Sequence, residues 1–428
     1  MECLPRDELE AWQLARLKET VARALKTSWY APLLAERGIH SPEDIKSLAD
    51  LRRIPFTTKH DLRAAYPWGL VSVPKEDIVR LHASSGTTGT PTTIYYTQGD
   101  LERWAGFMAR CIEATGCTKD DVFQNMITYG LFTGGLGVHY GAERVGMMVI
   151  PSGPGNTARQ FKLMKDFKTS VLHATPSFFL HLETKMQEEG VKREELSIKK
   201  AFAGAEPYSE DTRRRIEELL GIDVYNSYGL SEMNGPGVAF ECQAKDGMHL
   251  WEDGYIAEIV DPETLEPLPD GETGELVLTI LCREATTILR YRTRDLTSFY
   301  TEPCPCGRSH RRIRRITGRT DDMLIINGVN VFPSQIEEVV MAMKEVGNNY
   351  VIHVDKAGAL DKLTVKVEVG DTIFTDDARP LNALKDRIAK NLQVSISIHP
   401  QVELVEPGSL PVSEGKAKRV FDNRPKDV

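Results

Sequence analysis

The sequence predicts an α/β fold: a large N-terminal domain of mainly parallel sheets flanked by helices, carrying a β subdomain, and a small α+β C-terminal domain. Three observations predict it. At 428 residues the chain is too long for one ordinary core. Over residues 99–220 strand-like and helix-like stretches alternate, the pattern of a parallel sheet covered on both faces. From Tyr255 the texture changes to short strands cut by Gly, Pro and Asp turns, ending at the polar break Gly318-Arg319-Thr320-Asp321-Asp322. Residues 1–320 therefore read as the N-terminal domain, with the β subdomain at about 255–317, and residues 321–428 as the C-terminal one.

The elements follow in order. Residues 8–37 open with Leu14, Leu17, Val21 and Leu25 at helical steps of three and four. Ser41-Pro42-Glu43-Asp44 is a helix-start signal, and residues 55–62 begin another. Ile78, Val79 and Leu81 before the stretch 84–92, and Ile94-Tyr95-Tyr96-Thr97 after it, read as the two strands of a hairpin. A helix is expected at 99–114, buried strands at 122–128 and 147–151, and a helix at 161–167. Residues 170–174 read as extended, 176–189 as helical, 201–204 as a strand running into a turn, and 210–220 as an amphipathic helix before strand-like 222–225. The β subdomain should hold strands at 256–260, 274–279 and 287–291. Past the break, helices are expected at 333–343 and 378–392 and strands at 350–354 and 363–369, with the last strands near Ser395 and Val402.

Composition excludes several classes. Hydrophobic residues at 41% and charged residues at 27% are ordinary for a soluble globular protein. A net charge of −9 and a pI near 5.7 argue against a nucleic-acid-binding surface. No apolar run approaches the ~18 residues that span a membrane, and Met1-Glu2-Cys3-Leu4-Pro5-Arg6-Asp7-Glu8 does not read as a signal peptide. Seven cysteines, an odd number, fit a reducing compartment, so a cytoplasmic location is expected. Oligomeric state is not legible; a homodimer is the commonest choice.

The chemistry centres on Ser84-Ser85-Gly86-Thr87-Thr88-Gly89-Thr90-Pro91-Thr92. Gly86 and Gly89 let the backbone pass close to a ligand. Five hydroxyl side chains between Ser84 and Thr90 alternate with free N–H groups, so the loop offers a phosphate many donors without fixed positive charge. A solvated linker has similar composition, but this loop is short and strand-bracketed. No Gly-Lys-Ser/Thr follows, so it is not a Walker loop. The stretch resembles the phosphate-binding loop of the adenylate-forming enzymes, the superfamily of acyl-CoA synthetases, peptide-synthetase adenylation domains and luciferases. Its flanks are similar to the phenylacetate–CoA ligase branch.

The resemblance implies roles along the rest of the chain. Asn226-Ser227-Tyr228-Gly229-Leu230-Ser231-Glu232 matches the second signature: Tyr228 against adenine, Ser231 at a phosphate and Glu232 holding Mg²⁺. Gly204-Ala205-Glu206-Pro207 would wall the adenine site, although residues alone read it equally as a strand-to-helix turn. In Tyr291-Arg292-Thr293-Arg294-Asp295, Asp295 would accept both ribose hydroxyls, and Arg294 stands where the family more often has Gly. Arg319 would be a second ribose or phosphate contact, though alone it reads as a solvated side chain, and Asp321 falls at the hinge of a mobile C-terminal domain. Lys416, in Leu410-Pro411-Val412-Ser413-Glu414-Gly415-Lys416, matches the catalytic lysine that offsets charge when a carboxylate attacks the α-phosphate. Gly328 and Val329 would line the channel for coenzyme A, the co-substrate.

Tyr129, Phe132, Gly134 and Gly135 combine aromatics with small residues, which leaves room for a ring; the resemblance suggests an aryl or arylacetic acid there, and a core loop would look much the same. Cys304-Pro305-Cys306 is a Cys-x-Cys knuckle, and Cys242 and His249 flank a hairpin turn at Asp246-Gly247. Together they are expected to form a structural Zn²⁺ site, with His310 as the substitute ligand if His249 is not one; unrelated reduced cysteines are the alternative. The whole reading is ATP-dependent ligation of an aromatic carboxylic acid to coenzyme A through an acyl-adenylate, releasing AMP and pyrophosphate. Two alternatives stay open: transfer to a carrier-protein thiol or cofactor hydroxyl, and a nucleotide-binding regulator without turnover.

Overall fold

The computed structural model describes residues 1–84, 91–357, 360–370, 378–411 and 417–424. They cluster into two bodies, residues 1–153 with 225–315 and residues 154–224 with 316–428.

In the first body, helix Arg6–Ala24 buries Leu9, Gln13, Leu17, Val21 and Ala24 at steps of three and four. The Gln13 amide donates to the carbonyls of Glu252 and Tyr255, which satisfies a polar group inside that apolar stripe. Strands Arg80–Ser84 and Thr92–Tyr96 pair antiparallel with Ser84 opposite Thr92, so the hydroxyl-rich loop leaves and returns at adjacent points. Helix Gln98–Ala114 starts at once, capped by Thr97, whose hydroxyl accepts from the Asp100 N–H at 3.1 Å. It packs on helix Thr133–Val145 through glycines: a Cβ on Gly137 would lie 2.3 Å from the Trp104 ring, and one on Gly141 2.4 Å from Met108.

Strands Val122–Asn125 and Met148–Ile150 run parallel. Strand Asp223–Leu230, which enters this body at Tyr225, pairs antiparallel with Gly235–Glu241, and that strand with Met248–Leu250, which pairs with Arg312–Ile313. The β subdomain is an antiparallel run of Tyr255–Val260, Gly274–Ile280 and Tyr291–Thr297.

The second body joins parallel strands Val171–Ala174 and Lys200–Gly204 and helices Pro176–Glu188 and Glu210–Leu220 to the C-terminal segment. There a four-stranded sheet runs in the order Gln401–Val405, Leu360–Val369, Val346–Ala357, Val420–Asp422, with an antiparallel centre and parallel flanks. Helices Pro333–Met341 and Ala378–Ile396 accompany it.

Besides the parallel pairs, the large domain carries an antiparallel set. Three expectations need correction. The strand placed at 287–291 starts only at Tyr291, because Arg290 takes the left-handed φ of 44° and bends the chain there. Ser395 belongs to helix Ala378–Ile396, which stops at Ser397 with φ 59°. The strand expected at 122–128 ends at Asn125; residues 126–132 form a loop, and 133–137 are the first turns of a helix. Among the described residues no helix is long and apolar enough to cross a membrane.

Gly137→Ala is expected to cost about 1–3 kcal/mol by overpacking. Urea denaturation should show a lower midpoint at an unchanged m-value, and wild-type stability would contradict the close helix crossing.

Candidate active site

Strand Asp223–Leu230 carries Asn226, Ser227, Tyr228 and Gly229 in turn, and the short turn Ser231–Met233 presents Ser231 and Glu232. The Tyr228 hydroxyl donates to Asp295 Oδ2 at 2.6 Å, a charge-assisted hydrogen bond between two elements matched from distant sequence. Asp295 lies on Tyr291–Thr297, its N–H donating to Thr293 Oγ1 at 3.1 Å. The residue before it, Arg294, has φ 69°, a conformation that suits glycine. Arg294 is held there by buried Glu275, which accepts from its N–H at 3.3 Å and lies 3.6 Å from its guanidinium. That carboxylate explains how an arginine occupies the position.

The turn around Glu232 is anchored from beneath. Arg283 is fully buried and donates to the Glu232 carbonyl at 2.8 Å, to Asn234 Oδ1 at 3.3 Å and to the Thr286 carbonyl at 2.8 Å. Gly229 admits no side chain, since a Cβ would stand 1.8 Å from the Gly235 carbonyl oxygen. Ser231 Oγ lies 3.2 Å from Thr133 Oγ1 at the first turn of helix Thr133–Val145. Ser84 and Thr92, at the base of the hydroxyl loop, have buried hydroxyls with no hydrogen-bond partner among the described residues. Ser85, Gly86, Thr87, Thr88, Gly89 and Thr90 lie outside the described residues, as does Lys416.

Next to this turn in sequence, Tyr129 belongs to a directed chain of hydrogen bonds. Asn125 Nδ2 donates to Tyr129 Oη at 2.8 Å and to the Gly135 carbonyl at 2.8 Å. Tyr129 Oη is 3.1 Å from His139 Nδ1, and His139 Nε2 is 3.0 Å from Glu143. A carboxylate only accepts, so His139 donates from Nε2 to Glu143. Burial pushes the Tyr129 phenol up to about 12. Phe132 caps the helix with 45% of its side chain exposed, and Gly135 has no room for a Cβ, which would meet the Thr128 carbonyl at 2.7 Å. Gly134 lies half-buried beside it.

The other matched residues lie in the second body. Strand Lys200–Gly204 ends in Ala205 at φ 67°. Glu206 then accepts from Ser177 Oγ at 3.0 Å and from the Ala417 N–H, one residue past Lys416. Pro207 leads to the helix at Glu210. Arg319 grips Asp321 through Nε at 2.9 Å and Nη2 at 3.1 Å. Gly328, at φ 82°, and Val329 form the hairpin between Leu324–Ile326 and Val329–Val331.

Cys242, His249, Cys304 and Cys306 converge in the first body, with one ligand atom from each within 4.8 Å of the others. Cys242 Sγ and Cys304 Sγ are 3.7 Å apart, and Cys306 Sγ is 3.3 Å from His249 Nε2. A tetrahedron with metal–sulfur bonds of about 2.3 Å has edges of about 3.8 Å, so the donor set fits zinc. His249 Nδ1 lies 3.2 Å from the His310 carbonyl, which leaves Nε2 free to ligate. His310 thus contributes its backbone, and its ring nitrogens are buried without a partner among the described residues. Burial lowers the His249 imidazole to about 4, keeping it neutral as ligation needs, and lifts the Cys242 thiol to about 12, so the thiolate needs a cation's charge.

Sequence reasoning missed Thr133, Asn125, His139 and Arg283. Thr133 and Arg283 act through partners that only the fold brings near, whereas Asn125 and His139 act on residues close in sequence. The signal available was weak: a charged Cys-Arg-Glu interruption between strands at 282–284, and a His–Glu pair at a spacing of four.

Residues 18–280 match the family model "AMP-binding enzyme" and residues 328–424 match "AMP-binding enzyme C-terminal domain". The chain is 46% identical to a phenylacetate-coenzyme A ligase of Thermus thermophilus, over 99% of this chain and 98% of that one. It is 44% identical to the protein of the same name from Escherichia coli, over 98% and 95%. Among solved structures it resembles 2-hydroxyisobutyryl-CoA ligase in the postadenylation state with R3-HIB-AMP, at TM-score 0.92 and 29% identity, covering 99% of this chain and 91% of that one. The same ligase with 2-HIB-AMP and CoA, in the thioesterification state, matches at TM-score 0.72, 31% identity and the same coverage.

Asp295→Ala is expected to weaken ATP binding about 10–100-fold, the worth of hydrogen bonds to a charged acceptor. Isothermal titration with the non-hydrolysable α,β-methylene analogue reads it, and unchanged affinity would remove Asp295 from the site.

Proposed function

The chain belongs to the AMP-binding enzyme family, and on that premise we propose that it couples an arylacetic acid, phenylacetate in the first instance, to coenzyme A. It is an AMP-forming acid–thiol ligase: ATP and the acid give an acyl-adenylate and pyrophosphate, and the coenzyme A thiol then displaces AMP. The observation carrying the choice of acid is the full-length likeness to phenylacetate-coenzyme A ligases.

In this reading Asp295 accepts the ribose hydroxyls beside its hydrogen bond from Tyr228, and Tyr228 lies along the adenine. The hydroxyls and N–H groups of residues 84–90 and Ser231 hold the phosphates, while Gly204, Ala205 and Pro207 wall the base and Arg319 steadies the ribose. Glu232 would hold Mg²⁺, which would offset negative charge on the phosphate oxygens. The acid's ring rests among Tyr129, Phe132, Gly134 and Gly135, with Tyr129 locked by Asn125 and His139. One carboxylate oxygen attacks the α-phosphorus as the bond to pyrophosphate breaks, and Lys416 offsets the charge between the two anions. The C-terminal domain then turns about Asp321, removes Lys416 and brings Gly328 and Val329 to the thiol's path.

Zinc at Cys242, His249, Cys304 and Cys306 ties the 242–249 hairpin to the 304–306 knuckle and stands apart from the reaction, because four protein ligands leave no open position. The seven free cysteines suit a cytoplasmic enzyme, and a homodimer is the assembly symmetry favours.

Lys416→Ala is expected to abolish acid-dependent ATP–pyrophosphate exchange while sparing thioester formation from synthetic phenylacetyl-adenylate; loss of both half-reactions would break the domain-alternation reading. Protein purified without added metal should carry about one zinc per chain by plasma emission spectrometry. Cys304→Ser with Cys306→Ser should lose that zinc and lower Tm, and an unchanged Tm with no zinc in the parent protein would refute the site.

A further inference from the structure

Helix Pro333–Met341 carries a carboxylate that none of the roles above uses. Glu337 is buried, with 8% of its surface exposed, and faces the N-terminus of helix Glu210–Leu220. Its Oε1 accepts from the Ser209 N–H at 3.0 Å and from Thr212 Oγ1 at 2.9 Å, and Tyr350 Oη lies 3.5 Å from Oε2. Ser209 is the cap of that helix, its Oγ accepting from the Thr212 N–H at 3.1 Å. Glu337 therefore adds a second acceptor, from a different part of the chain, to a helix end whose N–H groups and dipole favour negative charge. Burial raises the pKa of the carboxyl above its usual range.

Other polar links run in parallel between the same two segments. Arg215 Nη2 donates to the Val346 carbonyl at 2.5 Å, Asn348 Nδ2 to the Leu180 carbonyl at 3.2 Å, and the Ala417 N–H to Glu206. On the Glu337 side, Arg419 stacks over Tyr350 at 4.3 Å and donates to the Asn349 side chain and the Tyr350 carbonyl, each at 3.0 Å. The residue next to Lys416 is thus moored to the surface that Glu337 grips. Hydrogen bonds of this kind can be exchanged for water, which is what a reversible contact requires.

We propose that Glu337 is a positioning residue for the first half-reaction: by docking on the Ser209–Thr212 helix start it holds the C-terminal segment where Lys416 serves adenylation, and its release is part of the turn to thioester formation. This rests on the domain-alternation reading above. Removal of the carboxylate lowers the population of the adenylation arrangement and leaves the second arrangement, in which Glu337 has left this helix, untouched.

The test measures the half-reactions separately for the full-length wild type, Glu337→Ala, Thr212→Val and Lys416→Ala. Thr212→Val removes the same hydrogen bond from the opposite side with the carboxylate kept, so the test survives if Glu337→Ala folds poorly. ATP–pyrophosphate exchange with phenylacetate should fall about tenfold in Glu337→Ala and in the same direction in Thr212→Val, with KM for ATP unchanged. Conversion of synthetic phenylacetyl-adenylate by coenzyme A should stay at the wild-type rate or rise. If both half-reactions fall together, or neither moves, while Lys416→Ala loses only the first, Glu337 has a structural role and the inference is wrong. If Lys416→Ala loses both, the alternation reading itself has failed and the inference falls with it.

Discussion

A 2.6 Å hydrogen bond from the Tyr228 hydroxyl to Asp295 is the contact on which the rest of the site depends. It joins a strand that ends in the Ser231–Glu232 turn to a strand of the β subdomain, and so fixes the spacing between the groups assigned to base, ribose and metal. Neither strand could hold its side chain to that tolerance alone. Arg283 pins the Glu232 turn through two carbonyls and an amide oxygen, Gly229 lets two backbones meet without a Cβ between them, and Glu275 holds Arg294 in a left-handed turn just before Asp295. Rigid support of this sort is what lets a binding face act without reorganising as charge develops.

Against that fixed face the chemistry needs one movable part. In the function proposed above, a cation placed permanently between carboxylate and phosphate would occupy the path of the incoming thiol, so Lys416 would have to arrive for the first step and leave for the second. In that proposal the hydrogen bonds between the C-terminal segment and residues 177–215, two of them to backbone carbonyls, are the ones released, and Glu337 is a buried carboxylate among them. The Cys/His cluster belongs to the fixed part, closing a hairpin on a knuckle in the first body.

Much of this was legible in the sequence because local rules agree with the fold. Thr97, Thr175 and Ser209 cap helices whose starts composition alone suggests, and the helix Glu210–Leu220 has the bounds that its amphipathic spacing implies. The Cys-x-Cys knuckle was readable because sulfur chemistry leaves few other uses for that spacing. The errors came where pattern and packing part. Val394, Ser395, Ile396, Ser397 and Ile398 alternate like a strand, yet the helix runs to Ile396 with Val394 79% exposed and Ile396 buried. The stretch 287–291 looks like a strand, but the Arg290 guanidinium pairs with Glu258 and the carbonyls of Arg52 and Ile54, and that anchoring bends the chain. Thr133 and Arg283 were missed because each has meaning only through a partner far along the chain.

The central claim is that a carboxylate oxygen becomes bonded to the α-phosphorus of ATP before coenzyme A reacts. Phenylacetate labelled with ¹⁸O in both carboxyl oxygens, turned over with ATP and coenzyme A, tests it by mass spectrometry of the products. One ¹⁸O should appear in AMP and one in the thioester, with none in pyrophosphate. Label-free AMP, or label in inorganic phosphate, would mean that the acid is activated some other way.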